Sequence, residues 1–333
     1  MKRSKKNPNV VVIGGGTGTF VVLSGLKNYP VNLSAIVTMM DSGGSTGRLR
    51  DQLGVLPPGD LRQALVALSE SEEIWRSLFT YRFDCGDLDG HSFGNIFLSA
   101  LEKITSSNQT AISLATEVLK AKGKVFPVTL THSTLCARFD DNTTIEGESF
   151  IDTSGKKGAR IRYMYLQPDA EINPQVCDVL KKADFIIFGP GDLYTSVIPN
   201  LLVTGVTQAI SNSKAKKVFV VNLMTKLGQT DDFKASDFVN EIQKYIGCKM
   251  NFIIINSQDP PGELLGWYER SGDACKVEDD IEQKSYPRAK IIREDVLSKA
   301  HYEQSLSDRI KRSLIRHDPA KLSKVLVDRV FRL

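Results

Sequence analysis

The sequence predicts an α/β protein of the three-layer α/β/α, Rossmann-like kind, with a mostly parallel sheet and a small antiparallel insertion. Three observations carry this. Residues 9–13, 31–37, 184–188, 218–222 and 251–255 are short apolar runs rich in Val, Ile and Phe, most of them without polar alternation, the pattern of strands buried on both faces. Amphipathic helical segments separate them, as crossovers between parallel strands require. The strands also run directly into loops of Gly, Ser, Thr and Asn, which collects the polar chemistry at one edge of the sheet.

In chain order, the first strand ends in Gly14-Gly15-Gly16-Thr17-Gly18-Thr19, and Phe20, Leu23 and Leu26 then recur at helical spacing. Strand, glycine loop and helix N-terminus form a phosphate-binding unit, because backbone N–H groups and the positive end of the helix dipole face the loop's concavity. Glycine admits a diphosphate closely and tolerates positive φ. The loop departs from the dinucleotide fingerprint, with Thr19 where a sixth-position Gly belongs, and it lacks the Walker lysine. A glycine turn that only packs a helix on a strand would look similar. A second loop, at the end of the next strand, weighs against that reading, since it carries Asp41, Ser42, Gly43, Gly44 and Arg48.

After the turn at Pro57-Pro58-Gly59, Asp60 is expected to be the N-cap of a helix with Leu61, Leu65 and Leu68 on one face. Asp41 and Asp60 could alternatively hold Mg²⁺ between them, since that ion takes one or two carboxylates and completes its shell with phosphates and water. Arg62 could reach a phosphate or a surface carboxylate. Residues 74–83, 96–104 and 111–121 read as helices. His91 is either a loop histidine or a catalytic one, and Asn95, at a helix start, suits a ribose, an amide or a base edge. Residues 125–165 turn to short alternating runs, expected as antiparallel hairpins on the edge of the main sheet and without a catalytic cluster.

The parallel pattern resumes with a helix at 173–181. The next strand runs into a third loop with Gly189, Gly191, Tyr194, Thr195 and Ser196, and the strand at 218–222 runs into a fourth with Asn222 and Thr225. Residues 237–245 are a helix. Residues 256–280 read as a long polar loop, in which Trp267 and Tyr268 are a packing anchor, a lid or a platform for a base. Asp318 and Pro319 are N-cap and first residue of the terminal helix, leaving Arg316 and His317 where an anion would sit.

The whole chain is ordinary: 333 residues, 41% hydrophobic, 25% charged, with 43 basic residues nearly balanced by 39 acidic ones, so no nucleic-acid surface is expected. The five cysteines show neither metal nor redox spacing and read as thiols of a reducing compartment. Residues 8–333 are read as a single α/β domain and residues 1–7 as a basic flexible tail; the apolar run behind that tail is too short for a signal or membrane segment.

Seven motifs resemble the gluconeogenesis-factor (YvcK-like) family, which belongs with the CofD-like 2-phospho-L-lactate transferases. They are GGGTGT, DSGGSTGRLR, PPGDLR, GHSFGN, GPGDLYTSVIPNLL, NLMT and RHDPAKL, spread over almost the whole chain. After NLMT the family often has Gly-Glu-Thr, where this chain has Gly228-Gln229-Thr230. The resemblance implies a cytoplasmic Rossmann-like protein that binds a nucleotide sugar of the UDP-N-acetylglucosamine type. It also implies a role in bacterial cell shape and growth on gluconeogenic carbon sources. On that reading the diphosphate lies on Gly15 to Thr19, while Asn222, Thr225 and the 189–196 loop surround ribose and sugar. Tyr268 stacks on the uracil and Arg316 lies near the phosphates. A homodimer is expected, with no membrane insertion. The alternatives are a Mg²⁺-dependent transferase of the 2-phospho-L-lactate type, with Asp41 and Asp60 on the metal, and, ranked last, an NAD-type oxidoreductase.

Overall fold

Ten strands form in the computed structural model, which describes residues 7–153, 159–271, 274–300 and 313–333. They are β1 (Asn9–Gly14), β2 (Asn32–Val37), β3 (Lys124–Pro127), β4 (Thr134–Phe139), β5 (Thr144–Glu146), β6 (Ile161–Gln167), β7 (Phe185–Phe188), β8 (Lys216–Val220), β9 (Phe252–Asn256) and β10 (Lys290–Glu294). Seven make one sheet in the order β10-β9-β8-β7-β1-β2-β3, with every pairing parallel. β4, β5 and β6 make a separate antiparallel sheet.

The helices between β1 and β3 are α1 (Gly16–Leu26), α2 (Gly44–Leu53), α3 (Pro58–Leu68), α4 (Glu73–Thr80), α5 (Phe93–Thr105) and α6 (Asn108–Val118). A short α7 (Glu148–Thr153) lies within the antiparallel insertion. Then come α8 (Pro174–Lys182), α9 (Ile198–Leu202), α10 (Val206–Asn212), α11 (Ala235–Ile246), α12 (Gly262–Ser271) and α13 (Pro319–Val325). α1, α3 and α13 pack together, as do α8, α10 and α11, giving a helical layer on each face of the parallel sheet. The strands are apolar on both sides for that reason: Val10, Val12, Ile13, Ile186, Ile187 and Phe188 are all fully buried. Each such side chain contributes roughly 1.5–3 kcal/mol by leaving water. No described helix is long and apolar enough to cross a membrane.

Three expectations need correction, and one strand was not foreseen. The hairpins are not on the edge of the main sheet, because Lys124–Pro127 joins β2 as the last parallel strand and the antiparallel strands pair only with one another. β10 has just two central isoleucines among charged residues, a pattern too polar to read as a strand, yet it pairs with β9 along one side. The polar segment after β9 contains a helix, α12, whose buried face holds Tyr268. Finally, α3 begins at Pro58 with Pro57 as its N-cap, so Asp60 lies in its first turn and does not cap it.

Candidate functional site

Strand order reverses around β1: β2 follows on one side and β7, reached through the other helical layer, lies on the other. In open α/β sheets ligands bind at such a switch point, outside the carboxyl ends of the strands. Here those ends carry the first and third glycine loops, and they touch. A Cβ on Gly18 would lie 2.0 Å from the carbonyl oxygen of Pro190, so only glycine lets the loops meet. Asn200 donates to the Gly14 carbonyl at 3.3 Å and Asn222 to the Gly191 carbonyl at 2.8 Å, which ties both loops to the ends of neighbouring elements. Gly16 has φ +59° and turns the chain into α1. Gly16, Thr17, Gly18, Gly191, Ser196 and Asn222 are half-buried at the crevice, while Gly15 and Thr19 are buried. Thr19 points its hydroxyl inward, without a partner, so its side chain does not line the crevice.

Asp60 caps a helix, but a different one from that expected. Its Oδ1 accepts from the Gly16 N–H at 2.8 Å, placing a buried carboxylate at the N-terminus of α1. One of the loop's donors is therefore occupied by an internal anion. Asp41 folds back on its own loop, accepting from the Gly43 N–H at 3.0 Å, and α2 starts at Gly44. Burial raises the Asp41 carboxyl above its ordinary range, against the Gly43 and Thr46 hydrogen bonds that lower it.

The histidine and asparagine of GHSFGN look inward. Arg62 Nε donates to Asn95 Oδ1 at 2.8 Å, and Asn95 Nδ2 donates to Ser45 Oγ at 3.2 Å and Thr46 Oγ1 at 3.4 Å. His91 Nδ1 is 3.1 Å from Ser45 Oγ. All these residues are buried, and burial followed by the charges of Arg48 and Arg82 lowers the His91 pKa. Asn95 thus spends its amide on the scaffold and is not presented to a ribose or base. Arg48 is exposed and donates from Nη2 to the Asp89 carbonyl at 2.6 Å.

The insertion, expected to hold no chemistry, brings two carboxylates to the crevice on α7. Ser149 binds the second loop, its N–H donating to Ser42 Oγ at 3.0 Å. Beside it, Glu148 is pushed well above the usual carboxylate range by burial and then by Asp41, Asp152 and Asp60, with Lys226 opposing. It is therefore a carboxyl that keeps its proton where ordinary glutamates have lost theirs. Asp152 accepts from Lys226 Nζ, from Gln229 Nε2 at 3.3 Å and from Thr195 Oγ1 at 3.4 Å, and Lys226 also donates to Asp192 Oδ2 at 2.6 Å. Burial alone would lower the Lys226 pKa, but Asp192 and Asp152 raise it overall. The sequence held no local signal for this cluster, since its members come from three separate segments; Gln229 is the amide that meets Asp152 there.

The remaining candidates divide. Ser196 borders the crevice. Tyr194 is fully buried, its ring edge-on to Phe233, and its hydroxyl is shifted upward by burial and by Glu241, so it belongs to the core. Thr225 is buried and exchanges hydrogen bonds with Cys275, both at 2.8 Å. Tyr268 is also buried, its hydroxyl accepting from the Leu314 N–H at 2.8 Å, so it does not offer a stacking face; the neighbouring Trp267 is 40% exposed. Asp318 does cap α13, accepting from the Ala320 and Lys321 N–H groups at 2.9 Å. Pro319 packs on Gly25 near the C-terminal end of α1, and Arg316 Nε donates to the Ser313 carbonyl at 2.7 Å. His317 is buried with its pKa lowered to about 4 by desolvation.

Among the described residues, no group of three or more Asp, Glu, His or Cys side chains is arranged to hold a metal ion. Asp41 and Asp60 both act electrostatically on Glu148, but each carboxylate already accepts a backbone N–H. They fit Mg²⁺ only as a partial set, completed by phosphate oxygens and water.

A parallel sheet with a switch point at β1 and helices on both faces defines a doubly wound class of α/β protein, and sequence comparisons narrow the class. The family model described as 2-phospho-L-lactate transferase CofD matches residues 10–297. The gluconeogenesis factor of Bacillus subtilis is 39% identical over 326 residues, covering 97% of this chain and 98% of its own. That of Listeria monocytogenes is 39% identical over 330 residues, covering 98% and 97%. A crystal structure of a UPF0052-family protein from Bacillus halodurans superposes with a TM-score of 0.88 at 37% identity, covering 97% of this chain and all of that one. The chain belongs to the gluconeogenesis-factor family, within the CofD-like superfamily.

Proposed function

We propose that the protein is a nucleotide-sugar-binding regulator: a cytoplasmic gluconeogenesis factor with a ligand of the UDP-N-acetylglucosamine type and a role in cell shape during gluconeogenic growth. The observation that supports this most is the contact of two glycine loops at the β1/β7 switch point, with Gly16, Thr17, Gly18, Gly191 and Ser196 at its rim. The diphosphate is placed against the N–H groups of Thr17 and Gly18, which lack carbonyl partners within the helix. The Gly16 N–H is left out, being occupied by Asp60. Asn222 and Ser196 border the ribose and sugar, and Trp267 replaces the buried Tyr268 as the aromatic for the base. Asp41 and Asp60 repel a bare diphosphate, so Mg²⁺ is expected to tighten binding. A second reading, transfer from a nucleotide-activated phosphoester, draws on the CofD match and on Glu148, whose carboxyl is held above the usual range.

Thermal unfolding with UDP-N-acetylglucosamine, with and without Mg²⁺, tests the first reading. At about 100 times Kd a ligand of the folded state stabilises it by about 2.7 kcal/mol. The expected outcome is a Mg²⁺-enhanced rise in melting temperature that Gly18→Ala abolishes, because the new Cβ forces the two loops apart. No rise with the UDP-sugar, or the same rise in Gly18→Ala, would discard this placement. Mg²⁺-dependent product from an activated donor would favour the transferase.

A further inference from the structure

Lys226 reaches the crevice from the loop after β8 and stands between two carboxylates of different origin. Asp192 belongs to the third loop, beside the glycines, whereas Asp152 belongs to α7 in the antiparallel insertion. α7 is fastened at its first turn by Ser149 on Ser42 and at its last by Asp152 on Lys226, with Gln229 and Thr195 adding longer hydrogen bonds at 3.3 and 3.4 Å. It therefore spans from the second loop to the fourth.

An ammonium has three donors, and Lys226 uses two of them on these acids. A phosphate arriving at the glycine loops carries more charge than a carboxylate and makes charge-assisted bonds at least as strong. It also brings negative charge toward Asp152, which already faces Glu148. Asp192 lies on the third loop beside the glycines, and its bond to Lys226 keeps the ammonium at that loop. Among the described residues, Asp152 has besides Lys226 two long bonds from neutral donors, Gln229 and Thr195. We propose that Lys226 is a phosphate-binding side chain held in reserve by Asp152 and Asp192. A nucleoside diphosphate in the crevice takes it from Asp152 and unlatches the end of α7. The inference rests on the nucleotide-sugar reading of the crevice and adds a movement to it, in which occupancy at the switch point is felt in the insertion.

The test combines calorimetric titration with UDP-N-acetylglucosamine and hydrogen exchange at residues 149–153, on the wild type, Lys226→Met and Asp152→Asn, each first shown to melt cooperatively. Lys226→Met is expected to weaken binding about tenfold, the loss of one charge-assisted hydrogen bond. Asp152→Asn is expected to strengthen it several-fold, because Lys226 is released beforehand; a purely structural ion pair would not move the two variants in opposite directions. Ligand should speed exchange at 149–153 in the wild type and change little in Asp152→Asn, where exchange is already fast. If Lys226→Met does not fold, the other two proteins decide. Unaltered affinity in the variants, or slower exchange at α7 on binding, overturns the latch while leaving the nucleotide-sugar reading intact. Absence of binding to the wild type overturns both.

Discussion

On the α2 and α5 side of the crevice, Asn95, Arg62, Ser45 and His91 spend their polar atoms on one another, while on the α7 side Asp152 and Asp192 pair with Lys226, and Asp152 crowds, with Asp41 and Asp60, around Glu148. The first side is built from motif residues, whereas Glu148, Asp152 and Lys226 on the second lie outside the motifs. The first is closed to a ligand because a buried amide with both ends paired has nothing left to offer. The second crowds carboxylates around Glu148, whose pKa is raised by its burial and then by their charge, and a protein tolerates such crowding where a proton, a cation or a ligand relieves it. Local charge crowding, more than motif membership, separates the two sides here.

Substitutions can break that contrast. Asn95→Ala has the largest expected effect: it strands the buried Arg62 Nε and removes the tie to Ser45 and Thr46, costing about 2–4 kcal/mol in urea denaturation. An unchanged midpoint would mean that the network is incidental. Asp60→Ala comes next, at about 1–2 kcal/mol, the usual loss for a deleted helix cap, whereas Asp60→Asn should be close to silent because Asn also accepts from the Gly16 N–H. Equal damage from both would point to a role for the Asp60 charge itself.

The smallest effect carries the clearest sign. A carboxyl raised in the folded state binds more protons folded than unfolded, so its contribution is most favourable below the unfolded value of 4.5 and is lost as pH rises through the folded value. Glu148→Gln should therefore raise the melting temperature at pH 8 and lose that advantage toward pH 4.5. His317, lowered to about 4, works in the other direction: its contribution is full above the ordinary 6.5 and lost as pH falls through 4. Melting curves of Glu148→Gln that run parallel to wild type at all pH values would remove Glu148 from the charge crowding.

Much of the fold was legible because double-sided burial leaves an unmistakable run of β-branched residues, as in β1 and β8. β10 was not legible because an edge strand with Lys, Arg and Glu around Ile291 and Ile292 needs β9 beside it to be a strand at all. Glycine loops announced the crevice, since their composition is local. Its charged half did not, because α7 is six residues long and Asp152 meets Lys226 only through tertiary packing. Tyr268 was misread because the polar positions of α12 outnumber the buried ones, so a helix with one inward face resembled an exposed loop.

The crevice also sets a timetable for synthesis. Ser42 meets Ser149 across 107 positions, Asn200 meets Gly14 across 186, and Lys226 meets Asp152 across 74. Contacts this distant form late, since each must first overcome the entropy of a long loop. On a ribosome the glycine loop and α1 emerge early and wait for α9 and the Lys226 loop before the pocket exists. The crevice between the loops is therefore assembled only in chains translated past Lys226.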